Sequence, residues 1–167
     1  LKDLDNVWNA WDYALEQCRE ELVDPFLVPL YRLFDDRNQY FDGERTFRRA
    51  LGCVAHADAP MTLTQARAAL CLALCLQNLT RYDEASVFAE QCLPVLAAQH
   101  AYWETWNAES CLANIAYARG DYEQAQQHFE AVREMLLGTS NPLSGISKSI
   151  GQFQRGVTQF LDSVERF

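Results

Sequence analysis

The sequence predicts an all-α protein built from antiparallel helical hairpins. Three observations carry that prediction. The strong helix formers Ala, Leu, Glu, Gln and Arg dominate the chain, and strand-type alternation is rare. Only 7 Gly and 5 Pro interrupt 167 residues, 49% of which are apolar. A short pattern around a turn also recurs three times, each time behind an apolar segment.

The elements follow in chain order. A first helix is expected from about Asp5 to Leu22, with the stripe Leu4, Val7, Trp8, Trp11, Leu15, Cys18 and Leu22 on one face, ended by Asp24-Pro25. The three turns read Asn38-Gln39-Tyr40-Phe41-Asp42-Gly43, Thr80-Arg81-Tyr82-Asp83-Glu84-Ala85 and Gly120-Asp121-Tyr122-Glu123-Gln124-Ala125. Each has a Tyr, a small residue three positions later, and then Phe47, Ala89 or Phe129 four positions beyond that. Apolar helices precede them over 26–34, 66–79 and 106–118. The tyrosines recur at 82−40=42 and 122−82=40 residues. The small residue belongs where two antiparallel helices approach most closely, and the Tyr wedges beside the turn.

Boundary signals agree with this reading. Thr62 with Gln65 can form a capping box, Gly120 can end a helix, and Asp121 can cap the next. Asn141-Pro142 reads as an N-cap and a first-turn proline. The stretch from about 142 to 165 carries Leu143, Ile146, Ile150, Phe153, Val157, Phe160 and Val164, a heptad-like stripe. Stacking on the third repeat is the preferred reading of that helix, as a cap or a partial repeat, with a dimer seam as the alternative. The division is a leading helix over 1–23, repeats over 24–58, 59–100 and 101–138, and a final helix over 139–167, about eight helices in all.

The repeat logic is similar to that of tetratricopeptide (TPR) proteins, whose usual period of about 34 is shorter than the spacing here. The resemblance implies a right-handed superhelix, since one hairpin cannot bury its apolar face alone. A narrower resemblance lies in the first fifty residues. Leu4-Asp5-Asn6-Val7-Trp8-Asn9-Ala10-Trp11-Asp12-Tyr13-Ala14-Leu15 precedes Tyr40-Phe41-Asp42-Gly43-Glu44-Arg45-Thr46-Phe47-Arg48-Arg49-Ala50-Leu51. This resembles the region behind the nucleotide-binding module of large bacterial signal-transduction ATPases, including the LuxR-type ATP-binding regulators and activators of antibiotic regulons. Trp8 stands where those proteins usually have Arg, and Asn38 and Thr80 stand where the turns usually have Gly.

That resemblance implies a sensor arm of a transcriptional regulator, cytoplasmic, taking a protein or peptide partner or a small-molecule inducer. Homo-oligomerisation is compatible with it. A free-standing TPR adaptor and the accessory repeats of a signalling enzyme are the alternatives. Leu1 and the abrupt end at Phe167 suggest an excised or trimmed piece of a longer protein.

The residues set their own limits. A net charge of −9 disfavours phosphate backbones, so no nucleic-acid binding by this segment is expected. No apolar run is long enough to span a bilayer. There is no P-loop signature, no triad-like spacing and no metal-ligand pattern, so no enzyme activity, cofactor or metal is expected. The six cysteines, Cys18, Cys53, Cys71, Cys75, Cys92 and Cys111, read as small buried apolar side chains in a reducing compartment. Trp103 and Trp106 read as core between repeats, with an aromatic ligand platform as the alternative.

TPR positions carried onto this chain put a binding groove on the first helix of each pair. They assign Arg32 and Asp35 to it, then Arg67, Gln77 and Asn78, then Asn107, Ser110, Asn114 and Tyr117. Asn78 and Asn114 stand out because an amide amid apolar residues is costly unless water or a ligand meets it. Arg67 can pair with a carboxylate in the same groove.

Overall fold

A computed structural model describes residues 2–55 and 59–138, with side chains from 5–55 and 59–135. Every regular element among them is a helix: α1 (Lys2–Gln17), α2 (Glu20–Asp36), α3 (Tyr40–Val54), α4 (Leu63–Asn78), α5 (Tyr82–Ala98), α6 (Tyr102–Arg119) and α7 (Tyr122–Gly138). The all-α hairpin repeat fold expected from the sequence is the fold observed. The expected helix over 142–165 lies outside the described residues.

Hairpin register follows from one turn geometry used repeatedly. Asn38, Thr80, His100 and Gly120 have φ of 54°, 60°, 53° and 82°. Each sits two residues before the next helix. The residue after it donates its N–H to the preceding helix five positions back: Gln39 to Phe34, Arg81 to Leu76, Ala101 to Leu96, Asp121 to Ala116, all at 2.8–3.0 Å. The left-handed residue itself donates three positions back, which completes a Schellman closure. The carbonyls of Gln39, Arg81, Ala101 and Asp121 then accept the first helical bonds from Gly43, Ala85, Thr105 and Ala125. One residue closes one helix and opens the next, so Tyr40, Tyr82 and Tyr122 each become the first residue of a second helix.

Two expectations about the first fifty residues are corrected. The leading helix stops at Gln17, because Cys18 adopts φ 47°, and α2 starts at Glu20 rather than near Phe26. Asp24-Pro25 does not end a helix; α2 runs through Pro25 and Pro29. Both prolines are exposed and four apart, so the carbonyls they leave unbonded face water. The opposite face, Val23, Leu27, Leu30, Tyr31 and Phe34, is buried and holds the helix in place.

The chain divides into two compact units, Leu1–Cys111 and Leu112–Phe167. In the first, α4 is central and packs against α2, α3 and α5. It buries Ala66 and an unbroken run from Ala68 to Leu76, as a helix enclosed on all sides must. The capping box at its start is formed: the Thr62 hydroxyl accepts from the Gln65 N–H at 3.2 Å, and Gln65 Oε1 accepts from the Thr62 N–H at 3.0 Å. Phe47 is fully buried and meets Phe34 edge-on at 6.0 Å. Gly43 and Ala85 both lie buried at helix–helix contacts. In the second unit Ala113 and Ala116 of α6 pack on Ala125 and Phe129 of α7. Asp121 caps α7 through the Gln124 N–H at 3.2 Å.

Candidate functional site

The first helices of the three hairpins, α2, α4 and α6, converge within the first unit on one guanidinium. Arg67 lies five residues into α4. Its Nη1 donates to Asp24 of α2 at 2.8 Å and its Nε to Glu104 of α6 at 2.7 Å. Arg67 is one quarter exposed and Glu104 only 11%. Burial disfavours the Arg67 cation, but hydrogen bonds to Asp24 and Glu104 outweigh it and raise its pKa. One oxygen of Asp24, Oδ1, is buried with no hydrogen-bond partner. Beside this knot Arg32 of α2 lies over the ring of Trp103 of α6, with Cζ 5.4 Å from the ring centroid. Near the start of the same helices, the Thr62 hydroxyl donates to Glu20 at 2.9 Å.

The second helices have their own ionic tie. Arg48 and Glu44 of α3 meet Glu84 of α5 and Arg81, the residue that precedes α5: Arg48 reaches Glu84 at 2.6 Å and Arg81 reaches Glu44 at 2.5 Å. Arg81 also pairs with Glu84. Arg48, Arg81 and Glu84 are each about two fifths exposed and only Glu44 is largely enclosed, so solvent screening keeps the contribution of the cluster to stability small.

The structure places the predicted groove residues as follows. Arg32, Arg67, Gln77, Asn78, Asn107 and Ser110 lie on the first helices within the first unit, as does Asp35, and Asn114 and Tyr117 lie on α6 within the second. Arg67 is engaged by Asp24 and Glu104 of its own chain. The Asp35 carboxylate accepts from the Tyr40 hydroxyl at 2.9 Å. Asn78, Asn107 and Ser110 each donate to the backbone carbonyl four residues back, those of Leu74, Trp103 and Trp106, at 2.7–2.9 Å. Asn114 is exposed and Gln77 half-buried. The rings of Tyr117 and Tyr122 meet at 5.6 Å, and both are about half exposed.

Sequence reasoning missed Asp24, Glu104 and the pairing of Trp103 with Arg32. A signal existed. Asp24 lies 43 residues before Arg67 and Glu104 lies 37 after it, each about one repeat away. A charge of opposite sign one period either side of an arginine marks stacked neighbours. A second feature is a cavity of about 450 Å³ bordered by Trp8, Trp11, Phe34, Arg37, Arg45 and Arg49. Arg45 and Arg49 are engaged by Asp42 and Asp12.

Among the described residues no helix is long and apolar enough to cross a membrane, and no group of His, Cys, Asp and Glu is arranged to hold a metal ion. No protein-family model and no curated protein matches the chain.

Proposed function

We propose that this chain is a binding segment of a larger bacterial transcriptional regulator, a TPR-like sensor arm that engages a protein or peptide through the first-helix face. The observation that carries the reading is the tie between α2, α4 and α6 at Arg67. It fixes the first helices of three successive hairpins without using the Arg32–Trp103 pair, in which Arg32 is exposed and Trp103 half-buried. An aromatic ring under a guanidinium is the kind of pre-ordered anchor on which interaction surfaces concentrate their affinity. The amides of Asn78 and Asn107 are already satisfied by carbonyls of their own helices, which leaves the Arg32–Trp103 pair as the contact this face offers. The family reading rests on the resemblance of residues 4–51 to regulator ATPases.

The test is a capture experiment with the chain immobilised and its partners read by mass spectrometry. Substituting Arg32→Ala and Trp103→Ala together should remove the specific partner, whereas Arg45→Ala on α3 should retain it. Equal capture by all three proteins would reject this face. For the regulator reading, the gene's full reading frame should contain a P-loop segment upstream, and a short independent frame overturns it.

A further inference from the structure

Four of the six cysteines fit the expectation of buried thiols: Cys71, Cys75, Cys92 and Cys111. Cys18 and Cys53 do not. Cys18 is exposed, and Cys53 is half-buried. They are 35 residues apart in sequence, yet both sulfurs bond the same oxygen. Cys18 Sγ donates to the Leu15 carbonyl at 3.2 Å, and Cys53 Sγ donates to that same carbonyl at 3.2 Å. Two thiols held this way on one acceptor are near neighbours, one at the break between α1 and α2 and the other in the last turn of α3. Cys18 also holds a left-handed conformation, φ 47°, at a turn with no glycine.

We propose that Cys18 and Cys53 form a thiol modification site that closes to an intramolecular disulfide when the protein meets a low-molecular-weight disulfide such as oxidised glutathione. The exposed Cys18, as thiolate, attacks one sulfur of that disulfide and expels one thiolate. Cys53, as thiolate, then attacks the Cys18 sulfur of the mixed disulfide and expels the second. The pair loses two electrons and two protons; the small disulfide takes up both and leaves as two thiols. The bridge fixes the α1–α2 junction to α3, so the seating of the leading helix on the first hairpin becomes sensitive to redox state.

The remaining thiols provide the contrast. Burial pushes Cys75, Cys92 and Cys111 up to about 12 and Cys71 well above the ordinary thiol range, so near neutral pH they stay protonated and shielded. Burial raises Cys53 to about 11, with the neighbouring Cys18 thiol adding to it. Cys53 therefore suits the second, intramolecular step, where proximity replaces thiolate abundance.

The folded chain is incubated with oxidised glutathione near neutral pH, alkylated, digested with trypsin and mapped by mass spectrometry. Cleavage after Lys2, Arg19, Arg49 and Arg67 isolates the two cysteines in the peptides 3–19 and 50–67. The expected result is a disulfide between those peptides, two of the six thiols lost, and a higher melting temperature that reverts on reduction. Cys53→Ser should halt at a glutathione adduct on Cys18, and Cys18→Ser should yield no linked peptide. Wild-type protein that stops at the Cys18 adduct with Cys53 alkylated, or that keeps all six thiols, overturns the proposal. The wild-type map decides this even if a serine variant fails to fold.

Discussion

A β-carbon placed on Gly43 would stand 2.7 Å from the sulfur of Cys75, closer than real packing allows. Gly43 belongs to α3 and Cys75 to α4, so successive hairpins touch at a point that admits no side chain. Phe34 closes the other side at 3.3 Å.

Gly43→Ala should therefore be destabilising. The substitution gains about 1 kcal/mol of helix propensity, but the overpacking costs about 1–3 kcal/mol. Cys75 is fully buried and cannot swing away. Cys75→Ala in the same chain removes the clashing sulfur, so the double variant should lose less than the two single losses added. Urea denaturation of the four proteins measures that coupling, and strict additivity would contradict the close approach.

The turns lend themselves to the opposite manipulation. Thr80 is β-branched and holds φ 60°, a conformation that glycine adopts freely. Thr80→Gly should stabilise the chain by about 0.5–1 kcal/mol, since relief of steric strain of about 1–2 kcal/mol exceeds the added freedom of the unfolded chain. Gly120→Ala, at φ 82° but with open space around its Cα, should destabilise by about 1 kcal/mol through backbone strain alone. Opposite shifts in melting temperature are the expected signature.

What the sequence disclosed and what it hid divide along physical lines. Tyr40, Tyr82 and Tyr122 disclosed the hairpin register because the Schellman closure is local and repeats with the chain. The α1–α2 break stayed hidden because Cys18 occupies the left-handed position, and cysteine carries no turn signal. Pro25 misdirected the boundary because its position on the exposed face of α2, where a lost hydrogen bond meets water, becomes visible only once Val23, Leu27 and Leu30 are known to be buried. Arg67 belonged to the expected groove, but its partners lie one repeat away on either side. A reading that follows one helix at a time does not pair it with Asp24 and Glu104.

Arg67→Ala should be among the more damaging polar substitutions. It leaves the partly exposed Asp24 and the buried Glu104 without a cation. The cost should be about 2 kcal/mol, below the ~3–5 kcal/mol of a fully buried pair because roughly a quarter of each of Arg67 and Asp24 remains in water. Arg67→Lys should recover only part of it, since one ammonium cannot reproduce two separate, directed N–H donors. Chemical denaturation ranks the three proteins, and a lysine variant as stable as wild type would argue against the two-sided grip.

Stability should also fall at alkaline pH, and the buried thiols set the window. In the unfolded chain a thiol titrates near 9.0, whereas burial holds Cys75, Cys92 and Cys111 near 12 in the folded protein. The folded state therefore binds more protons than the unfolded state between those values. Stability from these groups is fully present below about pH 9 and is lost progressively as pH rises toward 12. Tyr31, whose hydroxyl is also pushed upward by burial, steepens the decline above pH 10. The urea midpoint should hold steady through neutral pH and drop once the thiol range is reached. Cys92→Ala should start from lower stability but decline less steeply, because one of the linked protons is gone. A midpoint that stays level to pH 11 would mean that these sulfurs meet solvent, and with them the packed faces of α4, α5 and α6 that carry them.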